Sequence, residues 1–407
     1  MCDRKAYNVS MSNKWMILLL ATSVAGFRAY SSGFGLYEMS AKAHALGGAV
    51  VGEAVDASAV FYNPATLSDL TNVTVTVGFV TEHPRARMKV DGGSGSTAMD
   101  SGLFWLPHVN LAVPLPWNLT LGLGCAPEFG LGSAFDENWE LVSSSQETTV
   151  ESLTFAPTLS AAVTEDWSVG AGARLLWFDF EQYSEPVPGR LNHRLKGDNG
   201  VRDCGWQVGT RLRVRDDLSL GLVYKSQLDV HVRGKSDLSG LTEAFRPAKT
   251  KLTMPDSVTF GANWDVTDAW HLGSALTWTH WSTIGTLDFN LGGTHTPCEL
   301  DWEDTWRVTF APSYDFAENW TWLFSYAYET DCTGGQKSTM LPAADRHMLA
   351  TGLAWRCGGG FEVTFDYGLI VMGGKTSRAA DATGTLRNYE PHRGLSHAVG
   401  LTVTYRF

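Results

Sequence analysis

Histidines near the ends of predicted strands are the side chains best suited to acid–base or nucleophilic chemistry in this sequence. They are His280, His295, His347, His392 and His397, and each has acidic residues nearby. A serine or aspartate paired with such a histidine would make a hydrolase. The sequence has no G-x-S-x-G, H-E-x-x-H or G-x-x-x-x-G-K-[ST] motif, so it predicts no enzymatic activity.

The cysteines offer a second kind of chemistry. Five lie in the main part of the chain: Cys125, Cys204, Cys298, Cys332 and Cys357. They form no C-x-x-C pair and have no metal-like spacing with histidine, so neither a metal site nor a cofactor is expected. A disulfide between Cys298 and Cys332 is one possibility, and five free thiols are another.

Basic residues within alternating segments could hold a carboxylate. In the segment 167–177 apolar residues alternate with small, polar or basic ones, which places the two sets on opposite faces of a strand. The planar guanidinium of arginine can pair a carboxylate through two hydrogen bonds. Such cations can also simply fill and stiffen the interior of a barrel. The candidates on the non-apolar face are Arg174 as first choice, then Arg307, Arg211 and Lys225.

The composition limits the kind of protein that carries these residues. The 407 residues include 18% charged and 12% aromatic residues and 42 glycines, which argues against disorder. A net charge of −12 does not suggest the basic surface that binds nucleic acid. Beyond the N-terminal leader there is no apolar run of the roughly 18 residues that a spanning helix needs. A β-barrel with alternating strands fits this mixture.

Three features place that barrel in a membrane. Short turns alternate with long connections, tryptophans (Trp117, Trp167, Trp270 and Trp320) lie at or just after short turns, and the chain alternates through to a terminal Phe407. We therefore predict an all-β, transmembrane antiparallel barrel whose terminal Phe407 engages the barrel-assembly machinery. The fourteen predicted strands span 71–81, 106–116, 118–130, 149–163, 167–181, 204–215, 218–232, 251–265, 269–283, 303–316, 319–330, 346–357, 361–372 and 395–407.

The N-terminal region divides into two parts. Residues 1–31 contain a positive charge, a short apolar stretch and small residues, the pattern of a cleaved signal peptide. Residues 32–70 are rich in alanine and glycine and do not alternate, so we predict an N-terminal hatch inside the barrel formed by residues 71–407. The alternative is a flexible linker, although linkers are usually richer in charge and serine. The expected location is the outer membrane.

Several motifs resemble the outer-membrane transporter family for long-chain fatty acids and other hydrophobic compounds. They include Gly33-Phe34 with Glu38, Asn63-Pro64-Ala65, Pro127 with Phe129-Gly130, and Trp302 with Trp306-Arg307. The resemblance covers nearly all of residues 32–407. It implies a 14-stranded barrel with a hatch, a lumenal pocket with Phe34 at its floor, and lateral exit of the ligand where the third strand kinks. Pro127 and Gly130 are physical grounds for that kink, because both weaken strand pairing; an ordinary bulge is the alternative.

The ligand class is less defined than the fold. Family members that carry fatty acids are expected to pair the carboxylate with basic residues near the end of the fifth strand. Residues 177–181 read Trp-Phe-Asp-Phe-Glu, which is acidic, so a neutral hydrocarbon is an alternative ligand. A polar-solute porin and a structural or adhesion barrel are the alternative functions. The expected partners are hydrophobic small molecules and outer-membrane lipid, with a monomeric barrel and no nucleic acid.

Overall fold

The computed structural model describes residues 33–93, 95–100, 102–136, 138–188, 191–200, 202–239, 246–291, 293–333, 339–340, 344–372 and 376–407. The predicted signal peptide, residues 1–31, lies outside the described residues. Within them are helices α1 (Ala41–Ala45) and α2 (Ala59–Tyr62) and two 3₁₀ helices, Pro64–Asp69 and Trp281–Thr283. None of the helices in these ranges combines the length and apolar character needed to cross a membrane.

The strands of the described residues form a single sheet. In chain order they are β1 (Thr74–Val90), β2 (Ser96–Asp100), β3 (Phe104–Leu115), β4 (Leu119–Ala126), β5 (Leu131–Ala134), β6 (Glu147–Ala162), β7 (Trp167–Val187), β8 (Leu191–Asp198), β9 (Asp203–Arg215), β10 (Leu218–Lys225), β11 (Leu228–Ser239), β12 (Arg246–Met254), β13 (Ser257–Asp265), β14 (Trp270–Thr279), β15 (Thr286–Leu291), β16 (Thr294–Glu299), β17 (Thr305–Ala317), β18 (Trp320–Glu329), β19 (Arg346–Gly358), β20 (Phe361–Met372), β21 (Ser377–Ala380) and β22 (Leu386–Arg406).

Fourteen of the described strands close into an antiparallel barrel, which confirms the predicted count. The order around the wall is β1, β3, β4, β6, β7, β9, β10, β13, β14, β17, β18, β19, β20 and β22. The last strand pairs with the first from Thr74↔Arg406 onward, and the Phe407 N–H donates to the carbonyl of Val73 at 3.0 Å. This pairing leaves neither the first nor the last strand with a free edge in lipid, where an unpaired backbone group is costly.

The outer surface of the barrel wall is apolar. Trp306, Val308 and Phe310 on β17 alternate outward and are about half exposed, while Arg307 and Thr309 between them are buried. An apolar outer face with a polar lumen is the arrangement of an outer-membrane barrel. The short turns that join neighbouring strands of the barrel wall lie at the end where β22 finishes, which is the periplasmic end of such barrels, so the long connections are extracellular.

The predicted long loops are largely strands, which corrects the sequence-based boundaries. The first strand, predicted to stop at residue 81, continues to Val90, and the connections contain eight further strands of the described residues. Above the membrane the polarity inverts: Arg85 and Arg87 face outward and are exposed, whereas Ala86 and Met88 face inward and are buried. Polar and apolar residues therefore still alternate in these extensions, but the apolar residues face inward. A sequence analysis that expects apolar residues on the outward face predicts loops for these segments.

Residues 33–70 fill the lower lumen as a hatch. Small residues allow the close fit, since Ala41, Ala43 and Ala45 of α1 are fully buried. The Ser40 hydroxyl caps this helix by accepting from the N–H of Ala43 at 3.1 Å. On the wall, Gly209 leaves space that the hatch occupies, because a Cβ there would lie 2.1 Å from Asn63 Oδ1.

Candidate ligand-binding site

A large apolar cluster occupies the extracellular half of the lumen. It is built from inward residues of the strand extensions, where the inverted polarity directs apolar side chains to the interior. Part of it encloses a small cavity of about 20 Å³, lined mainly by apolar side chains, so a ligand would enter only if the lining moved apart. An apolar lining of this kind suits hydrophobic small molecules. The apolar lining residues include Phe34, Val150, Phe180, Leu252, Ile284, Leu287, Leu300, Trp302 and Met340.

Phe34 of the hatch forms one side of this cavity. Its ring makes edge-to-face contacts with Trp281, Trp302 and Phe129 at centroid distances of 5.1, 5.7 and 6.1 Å. The ring is 4% exposed. The preceding Gly33 donates its N–H to Cys332 Sγ at 3.1 Å, which ties the start of the described chain to an extracellular connection. The hatch thus separates the apolar cavity from the lower lumen with an aromatic side chain.

The third strand of the barrel is interrupted beside Phe34. Its two parts, β4 and β5, both pair with β6, through Ala126↔Thr154 and Leu131↔Val150. The four residues 127–130 therefore face only the three residues 151–153, so one residue is surplus. The surplus is taken up by an inward turn that contains the predicted residues Pro127, Phe129 and Gly130. Such a bulge bends a strand and ends its local pairing.

The hatch and β6 both hold the interrupted segment in place. Gly35 forms an antiparallel bridge with Phe129, the Leu36 N–H donates to the Glu128 carbonyl at 2.9 Å, and the Gly130 N–H donates to the Phe34 carbonyl at 2.8 Å. Ser152 of β6 accepts from the Phe129 N–H at 3.0 Å and donates to its carbonyl. The backbone groups lost from the strand ladder are in this way paired elsewhere.

Two of the predicted ligand cations meet at one carboxylate of the interrupted segment. Arg174 Nε lies 2.9 Å from Glu128 Oε2, and Lys225 Nζ lies 2.9 Å from Glu128 Oε1. Arg174 also donates to the Ser226 carbonyl at 3.2 Å. Glu128 and Arg174 are almost fully buried. Sequence reasoning missed Glu128, because the alternation of polar and apolar residues is broken there and does not predict whether this side chain faces the lumen or the lipid.

The other two predicted cations contact the hatch. Arg211 pairs with Asp69 at 3.3 Å and donates to the Gly52 carbonyl at 3.4 Å. Arg307 donates to the Gly47 carbonyl at 3.1 Å, and its guanidinium carbon lies 3.8 Å from the centre of the Tyr37 ring. The structure therefore places the four cations at three different points of the lumen rather than around one carboxylate site.

A second cavity lies below, between the hatch and the wall formed by β10, β13, β14 and β17. Its volume is about 70 Å³ and it is more polar, with Tyr37, Lys225, Thr277 and Arg307 among its lining residues. Burial, together with the charge of Glu329, raises the pKa of the Tyr37 hydroxyl to about 12, although Arg307 opposes the shift. Tyr37 is thus neutral at ordinary pH and can act as a hydrogen-bond donor.

The Asn63-Pro64-Ala65 motif fastens the hatch to β6, β7 and β9. The Asn63 amide donates to the carbonyls of Val51 at 2.7 Å and Thr210 at 3.1 Å, while its oxygen accepts from the Ala65 N–H at 3.0 Å. Pro64 starts the 3₁₀ helix, where its missing N–H costs nothing. The Ala65 carbonyl accepts from Ser160 at 3.0 Å and Ser168 at 2.9 Å.

Charged contacts hold the opposite side of the hatch. His44 Nδ1 lies 2.5 Å from Asp366 Oδ2, and Lys42 Nζ lies 2.8 Å from Glu362 Oε1. Burial alone would lower the pKa of His44, but the negative charge of Asp366 and its hydrogen bond outweigh burial and raise that pKa to about 9. His44 is therefore protonated at neutral pH and forms an ion pair with the wall.

The remaining chemistry-bearing residues do not gather into a site. The cysteines of the described chain form no disulfide, so the considered bridge between Cys298 and Cys332 is not formed in the structure. In the same described ranges, no three His, Cys, Asp or Glu residues are grouped to hold a metal ion. Trp281, which touches Phe34, was not singled out from the sequence; it lay near the end of the predicted strand 269–283, whereas the structure places it in a 3₁₀ helix.

The closed barrel, its apolar outer face and the lumenal hatch together define an outer-membrane channel for transport. The chain matches the family described as "Outer membrane protein transport protein (OMPP1/FadL/TodX)" over residues 21–407, and it belongs to that family. Members are outer-membrane transport channels rather than enzymes, as the resemblance predicted.

Sequence and structural relatives agree with this assignment. The chain is 22% identical to the "Long-chain fatty acid transport protein" of an Escherichia coli O6:H1 strain, covering 96% of this chain and 98% of the relative. It is 23% identical to "Outer membrane protein P1" of Haemophilus influenzae, over 86% and 89%. Its fold is similar to a Pseudomonas aeruginosa FadL homologue, with a TM-score of 0.81, 18% identity and coverage of 92% and 100%. For the Pseudomonas putida toluene transporter TodX the TM-score is 0.70, with 15% identity and coverage of 92% and 99%.

Proposed function

We propose that this protein passively transports hydrophobic small molecules, such as long-chain fatty acids or aromatic hydrocarbons, across the outer membrane. The observation that carries the proposal is the apolar cavity beside Phe34, which adjoins the interruption of the third strand. Relatives named for long-chain fatty acid transport and a structural neighbour named for toluene transport support this range of ligands. Capture takes place at the extracellular side, where the cavity lies.

Lateral exit is proposed at the interruption. Residues 104–108 of β3 pair with β1 on one side, but the pairing with β4 stops at Val109↔Cys125, so in the described chain these residues have no strand partner on the other side. A ligand that leaves here passes from an apolar pocket into the apolar part of the bilayer. It avoids the cost of exposing apolar surface to water in the polar lower lumen.

The hatch is proposed to keep the barrel closed to ions while Phe34 controls the pocket. Asn63, Pro64 and Ala65 anchor the hatch, and a movement of the segment around Phe34 would open the cavity toward the interruption. We further propose that residues 1–31 are removed as a signal peptide, that 32–70 and 71–407 act as hatch and barrel, and that the barrel inserts as a monomer through recognition of Phe407 by the assembly machinery.

Conductance and ligand binding together test the proposal. Purified protein in planar bilayers is expected to give no large steady ion current, and it should bind a fluorescent fatty-acid analogue or a solvatochromic hydrocarbon dye saturably. A large steady current without saturable binding would instead identify a polar-solute porin. A protein that neither conducts nor binds, but still folds, would favour a structural barrel.

A further inference from the structure

Glu128 pairs with two of the lumenal cations that were predicted to bind a ligand carboxylate. Its two oxygens take Arg174 Nε and Lys225 Nζ, each at 2.9 Å, and these were the two predicted ligand cations nearest the interrupted strand. The Arg174 side chain is 3% exposed, and it donates a further hydrogen bond to the Ser226 carbonyl. A ligand carboxylate that binds Arg174 Nε would have to displace Glu128.

The backbone fixes Glu128 in this position. Its carbonyl accepts from the Leu36 N–H, and the next residue, Phe129, bridges to Gly35 and contacts Phe34. The same short segment therefore delivers a carboxylate to the two cations and an aromatic ring to the ligand cavity. Because the Glu128 carboxylate is attached to the backbone, it loses little entropy when it pairs with the cations. A free ligand would lose its translational and rotational entropy as well.

The surroundings of the ligand cavity fit a ligand without charge. Its lining is apolar apart from Thr148, and within the described chain it includes no basic side chain. Transferring an ionised carboxylate into such surroundings is costly unless a cation compensates it. The nearest compensating cations are already paired with Glu128.

We propose that Glu128 is an internal substitute for the ligand carboxylate and restricts this transporter to neutral hydrophobic molecules. This inference rests on the proposed function and names its substrate class. Replacing Glu128 would free Arg174 and Lys225 and let the pocket accept carboxylate-terminated chains.

Arg307 is the cation that could defeat this inference. It is 5% exposed, and its Nε and Nη1 groups have no hydrogen-bond partner in the described chain. It lies in the lower cavity, however, where the Tyr37 ring covers one face and Glu329 is the directly opposite residue on β18. Both Tyr37 and Phe34 belong to the hatch segment that separates this cavity from the upper one. The test therefore includes Arg307.

The experiment compares two ligands with the same chain, oleyl alcohol and oleate, at a pH where oleate is ionised. Wild-type protein should bind the alcohol at least about tenfold more tightly than oleate, since tenfold corresponds to only about 1.4 kcal/mol. Glu128→Ala should gain at least tenfold in oleate affinity with little change for the alcohol. Glu128→Gln keeps the side-chain volume and tests the charge alone, and it should shift the ratio in the same direction.

A triple variant, Glu128→Ala with Arg174→Leu and Lys225→Leu, serves as the matched control and should not gain oleate affinity. The ratio of the wild-type affinities for oleyl alcohol and oleate tests the inference even if Glu128→Ala does not fold. Equal wild-type binding of both ligands would overturn the inference, as would oleate binding that Arg174→Leu, Lys225→Leu or Arg307→Leu selectively abolishes. Failure to bind either ligand would contradict the proposed function instead.

Discussion

Gly35 of the hatch and Phe129 of the interrupted third strand form an antiparallel β-bridge. Hydrogen bonds from Leu36 to Glu128 and from Gly130 to Phe34 lie on either side of it. The floor of the ligand cavity and the interruption in the barrel wall are consequently one backbone unit. A backbone movement at Phe34 would disturb this bridge, so under the proposed function the pocket and the lateral opening are coupled.

Deleting Pro127 should close the lateral opening. Residues 128–130 would then face 151–153 one to one, so β4 and β5 could pair with β6 as a continuous strand. We expect uptake of a hydrophobic ligand by whole cells to be lost while the folded barrel persists. Resistance of the barrel to unfolding in detergent without boiling is the measure of folding.

Pro127→Ala is the control for this deletion, because it keeps four residues opposite three and should retain most of the uptake. Normal uptake by the deletion variant, with a folded barrel, would remove lateral exit from the account.

Replacing Phe34 with alanine should weaken ligand binding about tenfold or more, because burial of one aromatic side chain contributes roughly 1.5–3 kcal/mol. The ring contacts Trp281 and Trp302 within the cavity wall. Isothermal titration with a neutral hydrophobic ligand measures the change. Phe365→Ala removes the same side chain from the lipid-facing surface and is expected to leave binding unchanged. Equal losses in both variants would mean that Phe34 has no special place in the pocket.

Replacing Asn63 with alanine should loosen the hatch without unfolding the barrel. The variant leaves the carbonyls of Val51 and Thr210 without this donor. A buried group left unsatisfied costs about 1–3 kcal/mol, which corresponds to roughly 5- to 150-fold more frequent opening. Hydrogen exchange of residues 40–70 detects the opening. Asn72→Ala, in an exposed position, is the control, and equal protection in the two variants would count against an anchoring role.

The hatch should be held less firmly at alkaline pH. The pKa of His44 is raised from 6.5 to about 9 by Asp366, so the folded state favours the protonated form. The resulting stabilisation is fully present below about pH 6.5 and is lost as the pH rises through about 9. Hydrogen exchange of α1, corrected for intrinsic rates, should therefore increase over this interval.

His44→Gln should abolish that pH dependence, while His295→Gln, on an exposed extracellular strand, should preserve it. An unchanged pH profile in His44→Gln would assign the effect to another group.

The barrel could be predicted from sequence because lipid imposes one rule on every spanning strand. Outward residues such as Val308 and Phe310 must be apolar, so alternation identifies the strands. The rule ends at the membrane surface. Beyond it Arg85 and Arg87 face water and Met88 faces the interior, and the extensions were consequently predicted as loops.

The partners of the lumenal cations could not be predicted in the same way. The alternation of polar and apolar residues correctly predicted that Arg174 and Arg307 face inward. Their partners, however, come from segments without such alternation. Glu128 lies in the interrupted strand, and Gly47 offers a backbone carbonyl of the hatch. Contacts between segments so far apart in sequence depend on how the hatch packs, which one sequence does not reveal.

Uptake of a radiolabelled neutral hydrocarbon tests the central claim most directly. The rate is measured in cells that carry this protein in the outer membrane, alongside cells with an equal amount of the folded Pro127 deletion. Rapid, saturable, energy-independent uptake that only the intact protein supports is the predicted result. Uptake at the rate of cells without the protein, despite a correctly inserted barrel, would contradict the account.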